Sequence, residues 1–230
     1  MGRDNVVIQL EDLCFAYPRR GPVLQDLSLR LFEGEKLGLE GPNGSGKTTL
    51  FHLIMGLLRP SSGSVRVFGK RAETEQDFRS VRRKVGLLFQ DPDDQLFSPT
   101  VLEDVAFGPL NLGRSAADAK ETARKCLALV GLEGFEDRLT HELSGGEKRL
   151  VSLVTVLAME PRVLLLDEPT NGLDEITRAK IMEVLNRLDV SSITVSHDRA
   201  FLENTTHRLT ALEQGRIVPA REHTCCRAIG

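Results

Sequence analysis

The 230-residue sequence has no tryptophan, a single tyrosine and four cysteines, and its 30 basic residues are nearly matched by 33 acidic ones. Without a basic excess the chain has no overall field to draw in nucleic acid, so any anion site must be local. No apolar run approaches the roughly 18 residues needed to cross a bilayer, and the opening Met-Gly-Arg-Asp-Asn lacks the apolar core of a secretion signal. A cytoplasmic protein is expected, one that would work at a membrane only by docking onto other subunits. Cys14, Cys126, Cys225 and Cys226 offer no pair at zinc-site spacing, which predicts reduced thiols. Met1-Gly2 also fails the myristoylation pattern, because Val6 stands where Ser or Thr is required.

What is present is concentrated between positions 41 and 49, where Gly41, Pro42, Asn43, Gly44, Ser45, Gly46, Lys47, Thr48 and Thr49 satisfy the G-x-x-x-x-G-K-[ST] phosphate-binding pattern. Three glycines let successive N–H groups converge on one concavity. Leu50, Phe51, Leu53, Ile54, Leu57 and Leu58 follow at helical spacing, so the loop opens a helix whose positive end adds to the anion site. Lys47 is expected to reach the β- and γ-phosphates of a nucleoside triphosphate, and the Thr48 hydroxyl to ligate Mg²⁺.

The rest of the chain is built around this loop. Residues 6–17 and 26–32 predict a half-buried antiparallel sheet, joined by the turn-rich 18–22. Tyr17, just before the turn, is read either as stacking on an adenine ring or as an aromatic capping the strand end. Residues 64–68 predict a strand returning to that sheet, 77–83 a basic helix with a solvated face, and 84–90 a buried strand ending at Gln90. From 91 to 141 the alternation of strand and helix stops. Acidic turns and helical stretches at 101–107 and 115–130 predict an inserted helical subdomain, with Pro92, Pro99 and Pro109 at its bends.

A second anion site is expected at Ser144, Gly145 and Gly146, which open a long apolar helix over 150–159. Residues 163–168, Val-Leu-Leu-Leu-Asp-Glu, form a buried strand ending in two carboxylates. Asp167 is placed to hold Mg²⁺, and Glu168 to orient or deprotonate an attacking water. A helix over 176–188 and a strand over 192–195 follow, and then His197, whose imidazole stands after its strand as the carboxylates stand after theirs. It could hydrogen-bond a γ-phosphate. A short helix and two weak strands, 207–212 and 216–218, close the fold.

Together these motifs resemble the ATP-binding cassette (ABC) ATPases over almost the whole chain to about Val218. The resemblance matches 41–48 to the Walker A loop, Gln90 to the Q-loop glutamine, 143–147 to the signature motif, 163–167 to Walker B, Glu168 to the catalytic glutamate, Asp174 to the D-loop aspartate and His197 to the switch histidine. Tyr17 falls at the adenine-stacking position. It implies an α/β fold: a P-loop core with a mostly parallel sheet, an N-terminal antiparallel β subdomain and the inserted helices, in one domain over 1–218 with a tail over 219–230. It also implies ATP and Mg²⁺ as cofactors, with Thr48, Gln90 and Asp167 around the metal. Lys47, Gln90, Glu168 and His197 would carry catalysis. In that family two cassettes pair head to tail, so Ser144, Gly145, Gly146 and Asp174 would serve the partner's nucleotide. A homodimer and a pair with a related cassette both remain open.

Residues 89–113 further resemble the energy-coupling-factor importers for cobalt, nickel and vitamins, in which this region receives helices of a membrane coupling subunit. That would account for Leu96, Phe97 and Phe107 among acids. The implied partners are a second cassette, a transmembrane coupling subunit and a substrate-binding membrane subunit, with no nucleic acid, at the cytoplasmic face of the membrane. The first expectation for cargo is cobalt or nickel, with biotin or another vitamin as the alternative, and a soluble cassette without a transport role as the rival class. Leu150, beside Arg149, stands where many members have arginine, and Asn171 replaces a smaller D-loop residue. His223, Cys225 and Cys226 are possible metal ligands, although a vicinal cysteine pair at a terminus makes a poor site.

Overall fold

A computed structural model describes residues 5–19 and 21–220. Strands β1 (Val6–Tyr17) and β2 (Gly21–Phe32) form a long antiparallel hairpin. Leu27, Leu29 and Leu31 turn inward while Ser28 and Arg30 stay exposed, as a period of two requires. β2 begins at Gly21, five residues before the expected start. Tyr17 pairs with Gly21 and Ala16 with Pro22. The proline is tolerated because β2 is an edge strand, where its missing N–H breaks no ladder. β4 (Ser62–Val67) pairs with the other side of β1, and β5 (Lys70–Arg71) completes a four-stranded sheet ordered β2-β1-β4-β5.

The second sheet is ordered β10-β9-β3-β8-β7-β6. Strands β3 (Lys36–Glu40), β6 (Val85–Leu88), β7 (Val163–Asp167), β8 (Ser191–Val195) and β9 (Arg208–Glu213) run parallel, and β10 (Arg216–Pro219) turns back on β9. All five residues of β7 are buried. Val163 and Leu165 join a core shared with the antiparallel sheet and α1 (Lys47–Ile54), whereas Leu164 and Leu166 face the helices on the other side. A strand covered on both faces must be apolar throughout, which is why this run shows no alternation.

The helical side comprises α3 (Val101–Asn111), α4 (Ala116–Leu129), α5 (Gly145–Leu157), α6 (Glu175–Arg187) and α7 (Arg199–Thr205), which share one apolar core with β7. Helix α2 (Glu75–Arg82) buries Phe78 and Val81 against the other core, and its Arg79 and Arg82 pair with Glu75. Two helices differ from expectation. α1 stops at Ile54 because Gly56 takes φ +70°, leaving Leu57 51% exposed instead of on a helical face. α3 runs through Pro109 to Asn111, since a proline in the last turn forfeits only one hydrogen bond of the helix. Thr100 and Glu103 close its other end with a reciprocal capping box.

Candidate active site

Strands β3, β6, β7 and β8 end along one edge of the parallel sheet, at Glu40, Leu88, Asp167 and Val195. The loops that follow carry the sequence motifs, so parallel register alone gathers residues as far apart in the chain as Gly41 and His197. They line a cleft of about 1020 Å³ formed by Tyr17, 41–49, Gln90, Asp167, Glu168 and His197. Val23, Gln25 and Gln214, which the sequence did not single out, line it too, as does Asn171, noted in the sequence only as a departure in the D-loop.

Gly46 caps the start of α1 with φ +104°, and a Cβ there would come within 2.8 Å of Leu24 on β2. Only glycine fits this turn. No side chain caps the first turn of α1, so its free N–H groups are available to an anion. Lys47 is 7% exposed, and its Nζ donates to the carbonyls of Gly41 (2.7 Å) and Pro42 (3.0 Å). Burial lowers its pKa, and the nearby Glu168 and Asp167 push it back up. Among the described residues the buried Ser45 Oγ has no hydrogen-bond partner. A hydroxyl orphaned beside free amides and an ammonium group fits a phosphate.

Thr48 Oγ1 donates to Asp167 Oδ2 at 2.6 Å. Asp167 is 3% exposed, and burial raises its pKa against the lowering effect of that bond. A hydroxyl and a carboxylate in contact, with the exposed Gln90 on the same wall, are hard oxygen donors of the kind Mg²⁺ takes. Glu168 is also buried, with its N–H donating to the Val195 carbonyl at 2.9 Å. Its Oε2 lies 2.8 Å from His197 Nδ1 and accepts from the His197 N–H at 3.3 Å. The carboxylate and the imidazole therefore form one unit, which their separate places in the sequence did not reveal. Tyr17 stands at the rim, edge-on to Phe15 at 4.8 Å and with its hydroxyl 3.2 Å from Thr49 Oγ1.

Ser144, Gly145, Gly146 and Asp174 do not line this cleft. Ser144 is exposed and caps α5, accepting from the Glu147 N–H while Glu147 accepts from the Ser144 N–H. Asp174 caps α6, and the Thr177 amide and hydroxyl hold its carboxyl below the usual range. Its Oδ2 lies 3.5 Å from where a Cβ on Gly146 would stand, so the two helix starts share a separate face. One residue near the cleft was named in the sequence but given no role there. Arg149 is buried on α5 and reaches the backbone at the end of β7. Its signal was a charged side chain on the side of α5 that the apolar spacing buries.

Among the described residues no cluster of three or more His, Cys, Asp or Glu could hold a metal, and no helix is long and apolar enough to cross a membrane. His223, Cys225 and Cys226 lie outside the described residues, whereas Cys14 and Cys126 are free thiols.

The sequence model of a family described as ABC transporter matches residues 24–171. A protein of Nitratidesulfovibrio vulgaris, provisionally named an ABC transporter ATP-binding protein, is 52% identical over 96% of this chain and 81% of its own. An energy-coupling factor transporter ATP-binding protein, EcfA, of Methanothermobacter thermautotrophicus is 43% identical over 92% of this chain and 70% of its own. Among solved structures, cbiO1 of Clostridium perfringens, described as part of the ABC transporter complex cbiONQ, superposes with a TM-score of 0.83. It is 33% identical, covering 94% of this chain and 88% of that one. The chain belongs to the ABC transporter family as one of its ATP-binding cassettes.

Proposed function

We propose that this chain is the ATP-hydrolysing energy-coupling subunit of an importer of the energy-coupling-factor type, with cobalt or nickel ions as cargo. One observation carries the coupling role. Phe97 and Phe107 meet edge to face at 4.7 Å while remaining 65% and 47% exposed, with the exposed Leu110 on the same helix as Phe107. Leu96, by contrast, tucks against the helical core. An apolar platform that a lone chain leaves in water supports docking of apolar helices from a membrane subunit. The EcfA and cbiO1 likenesses support the same assignment.

In the chemical step Lys47, Ser45 and the first amides of α1 hold the phosphates. Glu168 accepts a proton from water as the water oxygen attacks the γ-phosphorus. The bond to the β,γ-bridging oxygen breaks, and its electron pair leaves on ADP. His197 holds Glu168 through Nδ1, leaving Nε2 for a γ-phosphate oxygen. Mg²⁺ held by Thr48, Asp167 and Gln90 would neutralise charge on the β- and γ-phosphates. The exposed Ser144 and Gly145, remote from this cleft, would complete the site of a second cassette. ATP binding would close the pair and hydrolysis reopen it, passing the motion through α3 and α4 to the membrane subunits.

The test is affinity purification from detergent-solubilised native membranes, with mass spectrometry of co-purifying subunits and of bound metal. Small apolar subunits carrying cobalt or nickel are expected. A bound vitamin would overturn the cargo, and recovery of the chain without membrane subunits would overturn the transport role while leaving the ATPase chemistry intact.

A further inference from the structure

Arg149 is 2% exposed and lies on the side of α5 that faces the ends of β6 and β7. A guanidinium carries five N–H donors in a fixed planar fork. Here five main-chain carbonyls receive them. Nε donates to Pro169 at 2.9 Å, Nη2 to Asp167 at 2.8 Å and Glu168 at 2.7 Å, and Nη1 to Phe89 and, at 3.1 Å, to Gln90. None of the five acceptors is a carboxylate. Burial draws its pKa down to about 10 against the opposing charges of Asp167, Asp91 and Glu168, so it remains a cation at neutral pH.

These carbonyls are not a random sample of the backbone. Three belong to Gln90, Asp167 and Glu168, whose side chains line the cleft, and two to their chain neighbours Phe89 and Pro169. Glu168 has φ +46°, a left-handed backbone unfavourable for a residue with a side chain, which persists only where the surroundings over-determine it. Donation to the carbonyls on both sides of that residue, together with the Glu168 N–H bond to Val195, supplies the determination. Two further bonds reinforce the link from α5 to the loop after β6. Lys148 pairs with Asp93 at 2.6 Å, and Gln95 donates to the Ser152 carbonyl at 2.7 Å.

We propose that Arg149 is the positioning residue of the hydrolytic centre: by gripping five carbonyls it sets the Glu168 carboxylate and the Gln90 carboxamide at once and ties both to the helix that Ser144 begins. This rests on the assignment of Glu168 to ATP hydrolysis. Lysine has three donors and no planar fork, so Arg149→Lys leaves at least two of the five carbonyls without a partner.

The experiment compares wild type, Arg149→Lys, Arg149→Gln and Glu168→Gln, alone and combined, by steady-state ATPase, by affinity for a fluorescent ATP analogue and by thermal unfolding. Loss of a supporting group of this kind is expected to cost about 10- to 100-fold. That loss should fall on kcat, with KM and nucleotide affinity within about threefold, because the phosphate loop is untouched. In the Glu168→Gln background Arg149→Lys should cost severalfold less than it does alone, since one of the two groups it positions is already gone.

Full kcat in a folded Arg149→Lys variant, or losses that simply multiply with Glu168→Gln, would overturn the proposal. Absence of hydrolysis in wild type would instead overturn the assignment on which it rests. Should both Arg149 variants fail to fold, the wild-type chain still supplies a readout in side-chain ¹⁵N NMR. Slowed guanidinium rotation and resonances that move on adding ATP are expected, and a freely rotating guanidinium indifferent to nucleotide would refute the grip.

Discussion

Under the proposed pairing Ser144 would have two duties that a pair of substitutions can separate. Its side chain caps α5 by accepting from the Glu147 N–H, and in the proposed pairing it also donates to a phosphate held by a second cassette. Removing the cap in Ser144→Ala should cost about 1 kcal/mol. For a chain of this length that corresponds to a drop of roughly 2–4 °C in the unfolding midpoint. Losing a hydrogen bond to a charged group costs about 1.5–3 kcal/mol. At 1.36 kcal/mol per decade the rate should fall roughly 10- to 150-fold.

Asparagine is as good a cap as serine, so Ser144→Asn should restore the midpoint while its bulkier amide fails to restore hydrolysis. ATP binding to the isolated chain should be unchanged in both, because Ser144 lies outside the cleft. Thermal unfolding, fluorescent-nucleotide titration and phosphate release at several protein concentrations measure all three. Hydrolysis that returns with the midpoint in Ser144→Asn would mean that Ser144 acts only as a cap, and the face it shares with Asp174 would lose its role.

Glu168→Gln should retain ATP binding and lose about 10²- to 10⁴-fold in hydrolysis, and unchanged turnover would remove Glu168 from the mechanism. Asp104 is 3% exposed, accepts from the Phe97 and Ser98 amides, and has its pKa raised by burial. A raised folded-state pKa contributes stability below the unfolded value near 3.8 that is lost as pH rises through the folded one. Asp104→Asn should therefore gain on wild type between pH 4 and pH 7, read by urea unfolding at each pH, and an advantage that shrinks over that interval would contradict this. Phe97→Ser should shift the unfolding midpoint by no more than about 1–2 °C, as expected of an exposed site. It should abolish co-purification with membrane subunits, and full retention of those subunits would rule out Phe97 as a docking residue.

Local chemistry made much of this protein legible in its sequence. The 41–49 loop, the apolar run before Asp167 and the Leu27–Leu31 alternation each depend on residues near one another in the chain, where backbone freedom, period and burial can be read directly. Pro22 misled for the same local reason. Whether a proline interrupts a strand depends on which edge of the sheet it occupies, and that is set by the pairing of β1 with β4 on its other side.

Tertiary structure alone decided what meets what. Parallel pairing of β7 with β8 puts His197 against Glu168, 29 residues away, and the pairing of β8 with β3 on its other side brings Thr48 against Asp167, 119 residues away. It also turned Arg149, an ordinary basic residue in the sequence, into a buried hub for five carbonyls. A carbonyl carries no side-chain signature, so a site built on backbone acceptors is invisible until the strands that present them have been placed.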